Sequence, residues 1–178
     1  AYKGDIKNIL TEHTDLVYDE GLQEEFLDSQ RPDYELFALR RFSNEDFRKN
    51  MDFIIRSMEE GIPLLRKFIL KDLPDPIWEE EEVQTQLCQM FSVLDVNSRT
   101  FLLDKLKDSK KVQLRSLEFL SGEIKQMNKN QLISYLKILN EQKDLSEIIL
   151  ANVREASNDN SFQYSHLIYE HSEEIIYP

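Results

Sequence analysis

Apolar residues recur at intervals of three and four positions along most of the chain, which is the spacing of one face of an α-helix. The pattern is clear over residues 47–58 and 64–69, and Gly61 and Pro63 separate these two runs. No convincing stretch shows the strict alternation expected of a half-buried strand, apart from a short extension predicted at 175–177. The pattern therefore predicts an all-α fold.

Several glycines and prolines fall where the apolar period breaks, as expected at helix ends. The strongest break is Leu73-Pro74-Asp75-Pro76, since two prolines restrict their predecessors and remove two amide donors. This predicts a rigid corner, with a hinge as the alternative, and a helix from Asp75 through Leu94. Residues 1–156 are predicted to form one all-helical domain, and 157–178 a polar loop with a C-terminal helical segment and tail.

A weak internal similarity appears when the chain is shifted so that Asn97 coincides with Asn128. Each of these asparagines precedes an apolar residue by four positions, the spacing from an N-cap to the first core-facing side chain. One interpretation is a short α-solenoid of helical hairpins. The other, which we favour, is that any capped amphipathic helix shows this spacing. The prediction is a multi-helix bundle or a short solenoid, with about seven to nine helices.

Charge is distributed unevenly along the chain. The overall composition suits a folded globular protein, since 40% of the 178 residues are apolar and 31% are charged. The net charge of −12 divides into −11 for residues 1–104, +3 for 105–156 and −4 for 157–178. An acidic exterior repels nucleic-acid backbones and anionic membranes, and it attracts basic surfaces. We therefore expect a basic protein partner, with no direct nucleic-acid or membrane partner.

The lone Cys88 excludes an internal disulfide and a multi-cysteine metal site. It lies in an apolar helical pattern and is predicted to be a buried, inert thiol. No apolar run reaches the roughly 18 residues of a membrane span, and the N-terminus lacks the apolar core of a signal peptide. The expected location is intracellular and cytoplasmic, with the nucleus not excluded.

Motifs that carry enzyme chemistry are absent from the sequence. There is no Gly-rich phosphate loop, no Gly-x-Ser-x-Gly and no dinucleotide fingerprint, which argues against a nucleotide-binding enzyme. His166 and His171 are five residues apart, so on a helix they do not share a face, and His166 with Glu170 supplies only two of the ligands a metal site needs. We predict no cofactor and no metal.

Two acidic clusters are the candidate contact surfaces. Nine acidic residues lie between Glu12 and Glu35 with Arg31 as their only basic neighbour, and a second run of four glutamates, 79–82, follows Trp78. Acids in the first turns of a helix are favoured by its dipole without any partner, whereas a tryptophan beside them is typical of a binding anchor. The predicted partner-binding residues are Asp15, Asp19, Glu20, Glu24, Glu25, Trp78, Glu79, Glu80 and Glu81.

Three functional hypotheses remain open at this stage. The favoured one is a non-enzymatic α-helical interaction module that offers an acidic face to a basic partner surface. The first alternative is an inhibitor or immunity-type protein whose carboxylates mimic nucleic-acid charge; the second is a helical-bundle enzyme with a site near His166 and Glu170. The basic segment 105–115 could in addition meet the acidic surface of a second copy and give self-association.

Overall fold

Thirteen α-helices and two 3₁₀ turns make up the regular structure of residues 2–176, which are the residues that this computed structural model describes. No strand occurs in this part of the chain, so the predicted all-α fold is confirmed. The extension predicted at 175–177 is not formed at 175 and 176, which end the last helix, and Tyr177 lies outside the described residues. None of the helices within these residues is both long and apolar enough to cross a membrane.

The helices are α1 (Tyr2–Val17), α2 (Glu20–Asp28), α3 (Pro32–Leu39), α4 (Asn44–Lys49), α5 (Met51–Glu60), α6 (Pro63–Asp72), α7 (Asp75–Trp78), α8 (Glu81–Gln89), α9 (Val96–Lys107), α10 (Leu114–Gly122), α11 (Lys129–Asn140), α12 (Glu147–Asn158) and α13 (Ser165–Ile176). The 3₁₀ turns are Phe91–Val93 and Ile124–Gln126.

The described residues hold more helices than predicted because long apolar runs are interrupted. The helix predicted from Asp75 through Leu94 is instead the short α7, then α8, then a 3₁₀ turn. The side-chain amide of Gln113 donates to the carbonyl of Glu79 at 2.7 Å, and this carbonyl is one that a continuous helix would use internally. The backbone of Glu80 is extended, so α8 starts afresh at Glu81.

The chain divides into two compact units, an N-terminal unit of residues 1–43 and a C-terminal unit of residues 44–178. The sequence analysis placed the division at 156/157 instead. Helix α13 belongs to the C-terminal unit because it packs on α11 and α12. Residues 73–76 form a corner inside the same unit, where Leu73 is buried and its carbonyl accepts a hydrogen bond of 2.8 Å from the Lys105 ammonium.

An aromatic cluster holds the N-terminal unit together. The ring of Phe26 stacks on Tyr34 with centroids 4.9 Å apart, and it meets the edge of Phe37 at 5.5 Å. Tyr18 contacts both phenylalanines, and helices α2 and α3 pack against each other. Aromatic pairs in these geometries add stabilisation beyond the apolar area they bury.

From α8 onwards, the helices of the C-terminal unit alternate along the chain between two rows, and each consecutive pair, one helix from each row, is here called a hairpin. The first-helix row is α8, α10 and α12, in which each helix packs on the next, and the second-helix row is α6, α9, α11 and α13. Helices of the first-helix row begin at Glu81, Leu114 and Glu147, so their starts are equally spaced. This constant spacing, here called the hairpin period, also separates the starts of α9 and α11 at Val96 and Lys129.

The offset between Asn97 and Asn128 is shorter than the hairpin period because these two asparagines do not occupy equivalent positions in their helices. Asn128 does cap α11, with a full capping box to Gln131, but Asn97 lies inside α9, whose N-cap is Asp95. Partial burial raises the pKa of the Asp95 carboxyl, but hydrogen bonds from Ser98, Arg66 and the Asn97 N–H outweigh it and hold that pKa below its ordinary value.

Two arginines one hairpin period apart make equivalent contacts in successive hairpins. Arg66 is buried and donates to the carbonyl of Glu59 at 2.7 Å, and Arg99 donates to the carbonyl of Ser92 at 2.7 Å. The two acceptors are separated by the same period and lie at or just beyond the C-terminal end of the preceding helix, where backbone carbonyls lack helical partners. Each guanidinium also reaches the following hairpin, Arg66 at Asp95 and Arg99 at the carbonyl of Gln126.

Candidate functional site

Two of the predicted partner-binding residues in the N-terminal unit have intramolecular roles. The guanidinium of Arg41 donates from Nε to Asp15 at 3.0 Å, so the charge of Asp15 is compensated locally. Asp19 is the N-cap of α2, and its carboxylate accepts a hydrogen bond of 2.9 Å from the Leu22 N–H. The other three, which are exposed on α2, are Glu20, Glu24 and Glu25.

Trp78 lies in the core and not on the predicted contact surface. Only 1% of it is exposed, and its indole Nε1 donates to Ser109 Oγ at 3.1 Å. The ammonium of Lys105 sits 5.7 Å from the ring centroid. A side chain enclosed in this way cannot contact a partner, so the assignment of Trp78 as a binding anchor is corrected to a structural role.

The sequence suggested that the glutamates after Trp78 form one patch in the first turns of a helix. The structure separates them instead. Glu79 is the C-cap of α7, and its carboxylate accepts a hydrogen bond of 3.2 Å from the Lys110 N–H. Glu80 precedes α8 and forms an ion pair with Arg48. Glu81 and Glu82 alone begin α8, and both are exposed or partly exposed.

An acidic groove of about 560 Å³ lies between α5 and α8. Its apolar floor consists of Ile77 and Val83, which are buried, and of Met51 and Ile55, which are partly exposed. The α5 residues that line the groove follow the three- and four-residue spacing that places side chains on one face of a helix, and these are Met51, Asp52, Ile55, Arg56 and Glu59. The polar lining of the acidic groove consists of Arg48, Asp52, Arg56, Glu59, Glu80, Glu82 and Gln86.

Carboxylates outnumber cations in the acidic groove by four to two. The two cations are already engaged, since Arg48 pairs with Glu80 and the Arg56 guanidinium lies 5.5 Å from the centroid of the Phe53 ring. Three further carboxylates form no ion pair within the part of the chain that the structure describes, and these are Asp52, Glu59 and Glu82. The acidic groove therefore presents net negative charge above an apolar floor.

A second recess, of about 510 Å³, lies between α8 and α10. It shares Glu82 and Gln86 with the acidic groove, so the two are continuous across the exposed edge of α8. Its other lining residues are Glu81, Thr85, Gln89 and Arg115. Amide and carboxylate groups dominate this lining, and Arg115 is its only cation.

Sequence reasoning missed Asp52 and Glu59 as site residues. Both lie on α5, far along the chain from the α8 residues that they face, and no local pattern joins the two helices. The available signal was the periodicity of α5, which places Asp52 and Glu59 on the same face as Ile55. That signal could identify a shared face but not the helix opposite it.

Of the groups with potential chemical reactivity, the Cys88 thiol is buried, whereas His166 and Glu170 are exposed. Burial raises the pKa of the Cys88 thiol to about 12, so the thiol is protonated at neutral pH, as expected for an inert residue. His166 and Glu170 are exposed on α13. Within the described residues, no three His, Cys, Asp or Glu side chains come together in a way that could hold a metal ion.

The basic segment 105–115 is partly committed to contacts within the molecule. The ammonium of Lys105 is largely enclosed, where it donates to the carbonyl of Leu73 and lies 3.5 Å from the carboxylate of Asp75. Lys107, Lys110 and Lys111 are exposed. Self-association through these exposed lysines stays a prediction.

Comparison with protein-family models, with curated proteins and with solved structures finds no match. Functional information therefore comes from the chemistry of the acidic groove and of the recess beside it. An apolar floor beneath carboxylates that lack ion pairs is suited to bind an aliphatic chain that ends in a positive charge.

Proposed function

We propose that this protein is a non-enzymatic α-helical interaction module and that its acidic groove binds a basic segment of a protein partner. The observation that carries the proposal is the combination of an apolar floor with the carboxylates of Asp52, Glu59 and Glu82, none of which has an ion pair within the described residues. A basic partner would supply the missing positive charge, and hairpin stacks commonly present extended binding surfaces of this kind.

Lysine and arginine side chains fit this groove better than a compact cation does. Their methylene stems can lie on Ile55 and Val83 while the charged head reaches the carboxylates above. A volume of about 560 Å³ also falls within the range of about 300–1,000 Å³ that is typical of binding pockets, so one or two such side chains can be accommodated.

An acidic contact face was also expected from the sequence, but the residues now assigned to it are different. Glu80 lines the groove but is paired with Arg48, Trp78 is no longer part of the site, and Asp52, Glu59 and Glu82 carry the unpaired negative charge. The exposed acidic residues of α2 stay a separate candidate.

Neutralising the three groove carboxylates should weaken binding of a basic peptide. The test compares the wild type with a variant that combines Asp52→Asn, Glu59→Gln and Glu82→Gln, using a fluorescent Gly/Ser peptide that carries two arginines and two lysines. We expect the Kd to rise about 10- to 100-fold, equivalent to about 1.4–2.8 kcal/mol. Wild-type affinity should also fall as KCl increases from about 0.05 to 0.3 M, because salt screens the attraction.

A matched control changes the same net charge away from the acidic groove. It combines Asp104→Asn, Asp144→Asn and Glu141→Gln, three exposed residues that do not line the groove. This control should shift the Kd by less than about threefold, since screened surface charges at a distance contribute little. If the control weakens binding as much as the groove variant does, the attraction is one of overall charge and the groove has no special part in it.

A further inference from the structure

The exposed residues of the first-helix row occupy equivalent positions on successive helices. Because the starts of α8, α10 and α12 are separated by the constant hairpin period, their second residues correspond to one another, and so do their sixth residues. All of these side chains are exposed or partly exposed. This surface, here called the row face, comprises these second and sixth residues together with two exposed residues from the ends of α8 and α10: Glu82, Gln86, Gln89, Leu114, Arg115, Phe119, Ile148 and Asn152.

The chemistry of the row face differs between α8 and the two helices that follow it. Next to the acidic groove, α8 presents Glu82 and the amides of Gln86 and Gln89. The two helices after it present large apolar side chains to solvent, with Leu114 43% exposed, Phe119 38% and Ile148 55%. Glu82 and the amides therefore lie at the groove end of the row face, and its large apolar side chains lie on α10 and α12, where Arg115 and Asn152 accompany them.

We propose that the segment bound by the acidic groove is an extended peptide that continues across the row face and ends with an apolar side chain over α10 and α12. This inference rests on the proposed function of the groove, and it adds the conformation and the sequence pattern of the partner. The partner carries a basic residue at one end and a large apolar residue at the other, in the order that matches the row face.

The spacing of the two partner residues follows from helix packing. Neighbouring packed helices lie about 8–10 Å apart, and an extended chain rises about 3.3 Å per residue, so it covers about three residues per helix. The junction of α10 and α12 is two helices beyond the acidic groove. The basic and the apolar residue should therefore be about six positions apart.

The amides between the two ends favour an extended peptide over a helical one. The side-chain amides of Gln86 and Gln89 make no hydrogen bond within the described residues, and each can both donate and accept. An extended peptide offers unpaired backbone N–H and C=O groups to such side chains, whereas a helix uses its own internally. Arg115, in the recess between α8 and α10, repels a second cation and so directs the basic end of the peptide towards the groove.

The test uses ten-residue Ser/Gly peptides with one arginine and one leucine. In one pair of peptides the two residues are six positions apart, in either order, and in a second pair they are two apart. We expect one order of the six-residue spacing to bind about tenfold more tightly than the short spacing, the gain typical of burying one leucine. A combined Phe119→Ser and Ile148→Ser variant should abolish this tenfold difference, and a Gln89→Ala variant, which leaves the groove lining unchanged, should weaken the six-residue peptide alone.

Val93→Ser serves as the control, because Val93 is an exposed apolar residue outside the row face, and it should leave every affinity unchanged. Equal binding of all spacings, or a spacing preference that survives the Phe119 and Ile148 changes, would overturn the extended-peptide inference while leaving the groove intact. Failure of the proposed function looks different, since no arginine peptide would then respond to the groove variant with Asp52, Glu59 and Glu82 neutralised.

Discussion

Replacing Trp78 with alanine is expected to lower the free energy of unfolding by about 3–5 kcal/mol, as for other large aromatic side chains removed from a core. Trp78 is the only tryptophan in the chain and is 1% exposed. The change would leave a cavity at the corner between α7 and α8. It would also remove the indole donor to Ser109 and the ring over which the Lys105 ammonium lies.

Urea unfolding followed by far-UV circular dichroism measures this loss without depending on tryptophan fluorescence. Trp78→Phe is the graded comparison, because it keeps an aromatic ring but lacks the hydrogen-bond donor, and it should cost less than the alanine change. Phe119→Ala removes an exposed ring and should cost under about 1 kcal/mol. A loss below about 1 kcal/mol for Trp78→Ala would mean that this residue does not belong to the core.

Gly61→Ala should destabilise the protein by about 1–3 kcal/mol, the usual cost of forcing extra atoms into an occupied space. Gly61 ends α5, where its N–H donates to the Ser57 carbonyl at 3.0 Å. A Cβ added to Gly61 would overlap that carbonyl oxygen and lie 3.0 Å from the carbonyl carbon. Relief requires movement of the backbone at the end of α5, which also carries the groove residue Glu59.

Gly122→Ala is the matched control for this substitution, and it should change stability in the opposite direction. A Cβ added to Gly122 meets no atom within 4 Å, and this glycine is the last residue of α10. Alanine is a better helix former than glycine, so a gain of up to about 1 kcal/mol is expected. Thermal unfolding of both variants measures these opposite changes in stability, and similar shifts in Tm would contradict the predicted clash at Gly61.

The helical character of the chain could be predicted from sequence because it depends on local periodicity. The buried residues Ile54 and Met58 of α5 follow the pattern that the sequence indicated, and Gly61 ends α5 as expected, whereas Phe47 lies in the separate helix α4. The break between α7 and α8 could not be predicted, since it depends on a side-chain hydrogen bond to Glu79 from Gln113, which is distant in sequence. Local sequence carries no information about such a contact.

The location of the site was predicted only in part, because a count of acids does not show which acids are already paired. Asp15 and Glu80 appeared equivalent to their neighbours in sequence, yet each pairs with an arginine. The hairpin period was hidden for a similar reason, since Asp95 and Asn97 are both good N-cap residues and only the fold decides between them.

The most direct test of the groove is to map where a basic peptide binds, by recording amide chemical shifts of ¹⁵N-labelled protein during titration with the arginine–lysine peptide. We expect the largest changes at Asp52, Glu59 and Glu82, which line the groove between α5 and α8. If the largest changes instead fall on Glu24 and Glu25 of α2, or spread evenly over all acidic residues, the acidic groove is not the binding site.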